Sequence, residues 1–101
     1  MAHPVGDLLL RFGVAVRHGR NHLGLTQEEL GRRAGLHRSY VADIERGSRN
    51  ISLHAISNLA EALGVSLSNL FARVDALSPS EVLQQHSART VSIPALSDRP
   101  S

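Results

Sequence analysis

The chain has 101 residues and 42% hydrophobic content, enough for one small core and no second. Three aromatic residues, no tryptophan and no cysteine leave that core to Leu, Ile, Val and Ala, and exclude a disulfide framework and a thiolate zinc site. The formal charge of +2 is unevenly placed, with eight arginines against five acids in residues 1–50 and three against four in residues 51–101.

Residues 1–6 read as a loose start. From Asp7 to Leu23 the pattern predicts a helix, with Asp7 favourable at its positive end and Gly24 as its stop. Leu9, Phe12, Val16 and Leu23 share one face of it. Arg20 falls on the same face, and a cation turned toward a core requires a partner. Thr26 followed by Glu29 is a capping box that starts a second helix at Gln27. Leu30 and Ala34 mark its inner face, and Gly35 ends it by taking the positive φ that a tight helix-to-helix turn needs. A third helix begins near His37. Val41 and Ile44 form its inner face, Arg38, Ser39, Tyr40 and Asp43 its outer one, and Gly47 closes it.

A loop over Ser48 to Ile51 then presents Arg49 and Asn50. Ser52 caps a fourth helix whose apolar positions Ile56, Leu59, Ala60 and Leu63 keep helical spacing until Gly64. Ser66 caps a short fifth helix, with Leu67, Leu70 and Phe71 available for packing. Beyond Asp75, Ser78-Pro79-Ser80-Glu81 is a second capping box with proline at the first helical position, predicting a short helix to about His86. From Ser87 onward SARTVSIPALSDRPS lacks helical periodicity and carries two prolines, so a flexible tail is expected. The predicted organisation is thus an all-α domain over residues 7–75, with a short helix and tail over residues 76–101.

The stretch from Leu25 to Asn50 carries the chemistry. Two short helices at a sharp angle, the second turning arginine and small polar groups outward, form a device for reading DNA. Arg38 can make a bidentate contact to guanine O6 and N7, and Ser39 can donate to or accept from several base edges. Tyr40 can offer its ring to a thymine methyl or its hydroxyl to a phosphate. Asp43 can accept from cytosine N4, or orient Arg38 or Arg46. All eleven basic residues are arginine, which suits bidentate recognition of phosphate or guanine, although a GC-rich genome produces the same bias. His18 and His22 stand four apart on the first helix, but with no third ligand at recognisable spacing they read as surface residues and no metal is expected. No carboxylate pair, nucleophile with a base, or phosphate-cradling glycine loop points to an enzyme or a cofactor. No apolar run approaches the ~20 residues of a membrane span, and the start lacks the order of a signal peptide, so a cytoplasmic location is expected.

Leu30, Ala34, Gly35, Leu36, Val41 and Ile44 fall where the phage repressor and Cro type of helix-turn-helix family places its packing residues and turn glycine. Gln27 stands at the start of the first motif helix, and Glu45-Arg46-Gly47 resembles the usual close of the recognition helix. The resemblance runs from Phe12 to Phe71. Gly31 departs from it, standing where the motif usually has alanine at a cost of up to ~1 kcal/mol of helix stability; Gly19 stands where relatives usually have a larger apolar residue.

The resemblance implies a five-helix domain, an ion pair between Arg20 and Glu45, and phosphate contacts from Gln27, Arg46, Arg49, Asn50 and Ser52. It also implies a sequence-specific transcriptional regulator that binds double-stranded DNA as a homodimer on a two-fold operator. Leu67, Leu70, Phe71, Val74 and Leu77 exceed what a short terminal helix needs internally and are the expected dimer face. HRSYVADIERG followed by RNISL looks like the controller proteins of restriction-modification systems, which time expression of their own operon, with a phage or chromosomal repressor as the nearest competitor. An alternative of another class is an antitoxin whose C-terminal arm binds a toxin protein, for which Val82, Leu83, Val91, Ile93 and Leu96 are sparse anchors.

Overall fold

Side-chain caps and glycine stops divide the chain into helices. The computed structural model describes residues 5–77, as α1 (Val5–His22), α2 (Gln27–Ala34), α3 (Arg38–Arg46), α4 (Leu53–Leu63) and α5 (Leu67–Ala76). The expected sixth helix, the tail and the apolar residues from Val82 to Leu96 lie outside the described residues. Thr26 Oγ1 accepts from the Glu29 amide at 3.0 Å while Glu29 Oε1 accepts from the Thr26 amide at 2.8 Å. The Thr26 backbone N–H, aided by the Thr26 hydroxyl and by Arg32 and Arg33, holds the Glu29 carboxyl below the usual carboxylate range, so the box stays charged at neutral pH. Ser52 and Ser66 cap α4 and α5 in the same way, through the amides of Ala55 and Asn69. α3 is capped less conventionally, by His37, whose Nδ1 accepts from the Ser39 amide at 3.1 Å.

The capped helices close around one core formed by Phe12, Val16, Leu30, Ala34, Val41, Ile44, Leu59, Leu63, Leu70 and Val74, among others. α1 packs on α3 and α5, and α2 packs on α3 and α4. Two expectations are corrected. Leu23 is 44% exposed, because α1 ends at His22 and the chain turns at Gly24 with φ near +71°, which brings Leu25 rather than Leu23 against the core. Leu70 and Val74 are each 1% exposed, so they complete the core of this chain and are not available to a second copy. Four residues apart on α5, they form its inward row. Leu67 and Phe71 remain exposed, and Leu77 is half-buried against the core.

Three glycines set how closely the helices approach. At Gly13 a Cβ would stand 2.4 Å from the Ile44 carbonyl oxygen and 2.7 Å from that of Glu45, so α1 crosses the last turn of α3 backbone to backbone. A Cβ on Gly31 would stand 2.4 Å from the Leu36 carbonyl oxygen, which gives the departure from alanine at this position a steric reason. At Gly19 the missing side chain is replaced by Leu63 of α4, whose methyls lie 3.3 Å from where a Cβ would be.

Gly13→Ala gains up to ~1 kcal/mol of helix propensity but forces two backbones apart. The net expectation is a loss of roughly 1–3 kcal/mol of stability, the usual range for overpacking. A chemical denaturation midpoint at or above that of the wild type would overturn this account of the α1–α3 contact.

Candidate nucleic-acid interface

α3 has one face in the core and one in solvent, and a buried carboxylate sits where it ends. Glu45 is 3% exposed. Arg20 grips it in a fork: Nε donates to Oε2 at 2.6 Å and Nη2 donates to Oε1 at 2.9 Å. The third nitrogen of the same guanidinium donates to the Leu25 carbonyl oxygen at 2.8 Å. A single arginine therefore ties α1, the α1–α2 turn and the last turn of α3 together. Gln27 Nε2 adds a 3.0 Å hydrogen bond to Glu45 Oε1, and Arg17 Nε lies 3.8 Å from the same oxygen. The charge is out of water but met by donors on most of its lone pairs, the condition under which a buried carboxylate is tolerated.

The outer face of α3 carries the residues expected to read bases. Arg38 and Ser39 are exposed in its first turn, and Tyr40 is half-buried beside them. Arg38 makes no hydrogen bond or ion pair among the described residues. Ser39 Oγ lies 2.9 Å from Nδ1 of His37, so the cap also orients this hydroxyl. Asp43, one turn further on, is paired with Arg46 and with Arg49, whose Nε donates to Oδ2 at 3.3 Å. Of the two orientations open to it in the sequence, it takes that toward Arg46, not Arg38, and adds Arg49. The Arg49 guanidinium also lies over the Tyr40 ring, 5.1 Å from its centroid. Ser48 closes this end of the face, with its amide and hydroxyl both donating to the Asp43 carbonyl oxygen.

The residues expected to meet phosphate come from the start of α2, the last turn of α3 and the loop that follows it. Gln27, at the start of α2, gives one amide hydrogen to Glu45 and keeps the other. Arg46, Arg49, Asn50 and Ser52 are exposed on the last turn of α3 and the loop that follows. As the α4 cap, the Ser52 oxygen accepts from Ala55, which leaves its hydroxyl hydrogen free to donate. Two features were missed in the sequence. Gln27 belongs to the Glu45 cluster as well as to the surface, and no local spacing reveals that. Arg11 pairs with Asp7 at 3.0 Å and donates to the Val74 carbonyl oxygen at 3.4 Å, joining α1 to the end of α5; the four-residue spacing of Asp7 and Arg11 was its legible half. His18 and His22 are both exposed on α1, and no group of three metal-ligating side chains occurs among the described residues. None of the described helices is long and apolar enough to cross a membrane.

A family model described as helix-turn-helix matches residues 16–70. The chain is 43% identical over 65 residues to control protein C.BamHI of Bacillus amyloliquefaciens, a match covering 63% of this chain and 80% of that protein. It is 43% identical over 58 residues to control protein C.SmaI of Serratia marcescens, covering 57% and 69% respectively. Among solved structures, the restriction-modification controller protein C.AhdI from Aeromonas hydrophila is similar with a TM-score of 0.61 at 48% identity, over 62% of this chain and 96% of that one.

Removing one partner of a buried ion pair costs roughly 3–5 kcal/mol, because the other charge is left uncompensated. In Arg20→Ala the carboxylate keeps Gln27 and has Arg17 nearby, so the loss is expected near the low end, about 3 kcal/mol. Denaturant titration reads it directly, and a midpoint equal to the wild type's would show that the fork contributes nothing to stability.

Proposed function

The chain belongs to the helix-turn-helix family of DNA-binding transcriptional regulators, and on that premise we propose that it acts as a controller of the restriction-modification type, bound as a homodimer to a two-fold operator. The observation that carries the reading is the outer face of α3, where Arg38, Ser39 and Tyr40 stand together at the start of a helix whose opposite face is locked into the core. In this reading Arg38 takes guanine, Ser39 and Tyr40 take neighbouring base edges, and Gln27, Arg46, Arg49, Asn50 and Ser52 hold the backbone on either side.

The proposed dimer face keeps Leu67 and Phe71 of the expected set and adds Leu53 of α4, all three of which are exposed. Leu53 is 77% exposed and Leu67 44%, and with His54 and Ser57 they line a groove of about 310 Å³ between α4 and α5. Phe71, 37% exposed, lies one turn further along α5. In a homodimer that pairs this groove with its own copy, two-fold symmetry implies a two-fold operator, with half-sites about 10 bp or ~34 Å apart as expected for helix-turn-helix dimers. The antitoxin alternative finds no support among the relatives, which are controllers and regulators.

Light scattering at tens of micromolar is expected to give a dimer mass for the wild type and a monomer mass for Leu53→Glu combined with Leu67→Glu. Both side chains are exposed, so the variant keeps its fold; a wild type that stays monomeric, free and on DNA, would rule the homodimer out. Arg38→Ala is expected to cost about 1–3 kcal/mol per half-site and to relax the preference at one base pair, whereas Arg49→Ala weakens the operator and its single-base variants alike and lowers the salt slope by about one per lost phosphate contact. Titration against the operator and its single-base variants at several salt concentrations separates the two. Unchanged base preferences in Arg38→Ala would pass the reading of that base to Ser39 and Tyr40.

A further inference from the structure

Asp43 stands in the last turn of the recognition helix, facing the surface that would meet a polyanion. A carboxylate there gains nothing from the helix, whose C-terminal end is already negative, and it repels phosphate. Its side chain is 25% exposed and pairs with two arginines, one on its own helix and one on the following loop, and the second arginine also lies over the Tyr40 ring. Both arginine side chains are otherwise open to solvent, at 50% and 55% exposure.

We propose that Asp43 is a specificity-determining positioning residue: it restrains Arg46 and Arg49 against the recognition helix so that they reach phosphate only when the helix is seated in register on its operator. An arginine free to swing finds a phosphate on any duplex, and such contacts are the sequence-independent part of binding. Tethered to Asp43, with that of Arg49 also lying over the Tyr40 ring, the two guanidinium groups approach the backbone from fixed positions, and the ion pairs must be given up or shared at each encounter. Off-register encounters return less for that loss than the seated complex does. The carboxylate thus lowers affinity for wrong sequences more than for the right one. This rests on the DNA-reading role proposed above for α3.

The test uses Asp43→Asn, which keeps the shape and the backbone hydrogen bonds from Ser48 while removing the charge. The probes are the duplex that the wild type selects from a randomised pool and a scrambled duplex of the same composition. Affinity of Asp43→Asn for the scrambled duplex should rise by about tenfold with a steeper salt slope, while affinity for the selected duplex changes much less, so that the ratio of the two falls. In an Arg46→Ala, Arg49→Ala background the same substitution should leave the ratio where it was. Equal gains on both duplexes would reduce Asp43 to a bulk charge and overturn the proposal, as would a fall in the ratio that persists without the two arginines. A new preferred base selected by Asp43→Asn would make it a base reader and overturn it as well. If the wild type selects no preferred duplex, the DNA-reading role itself fails; wild-type selection with an unchanged ratio fails the positioning role alone. A thermal midpoint matching the wild type's confirms that the variant is folded.

Discussion

A carboxylate taken out of water at the end of a helix has to be answered by donors, and most of this domain's geometry follows from how Glu45 is answered. The fork from Arg20 fixes α1 across α3, the third nitrogen of that guanidinium fixes the turn that leads into α2, and Gln27 brings in the first residue of α2. Because the guanidinium is planar and its donors are rigidly spaced, these contacts set angle as well as distance. An apolar pair in the same place would hold the helices together and leave their rotation softer.

That rigidity makes the outer face of α3 usable. Val41 and Ile44 are fully buried, so the helix has no freedom to roll and the positions of Arg38, Ser39 and Tyr40 in solvent follow from them. The two ends of the face are then finished locally: His37 caps the start and orients Ser39, and Asp43 collects Arg46 and Arg49 at the other end. A rigid scaffold with short polar side chains and arginines on one exposed helix suits readout in a groove, where a displacement of an ångström costs a hydrogen bond.

The close crossings need absences as much as contacts. Gly13 admits the carbonyls of Ile44 and Glu45, and Gly31 admits that of Leu36, so the turn of the motif and the α1–α3 crossing both depend on positions with no side chain. The same economy at Gly19 lets Leu63 fill the space between α1 and α4.

Local chemistry was enough to determine the helices among residues 5–77. Thr26 with Glu29, Ser52, Ser66 and the glycines at 24, 35, 47 and 64 act through atoms a few residues away, so their pattern in the chain already states where α2, α4 and α5 start and where α1 to α4 stop, whereas α1 begins at Val5 rather than at the expected Asp7. Which face of α3 is exposed was legible for the same reason, since Val41 and Ile44 declare which side of α3 turns inward. What depended on partners distant in the chain was not. Leu70 and Val74 look like surplus apolar surface until α1 is seen to cover them, and Leu23 looks inward-facing until the backbone turns away at Gly24. No spacing rule links Gln27 to Glu45, Arg11 to Val74, or Gly13 to the carbonyls of α3. These contacts join residues whose separation along the chain carries no information about their separation in space, and only the packed arrangement of the helices decides them.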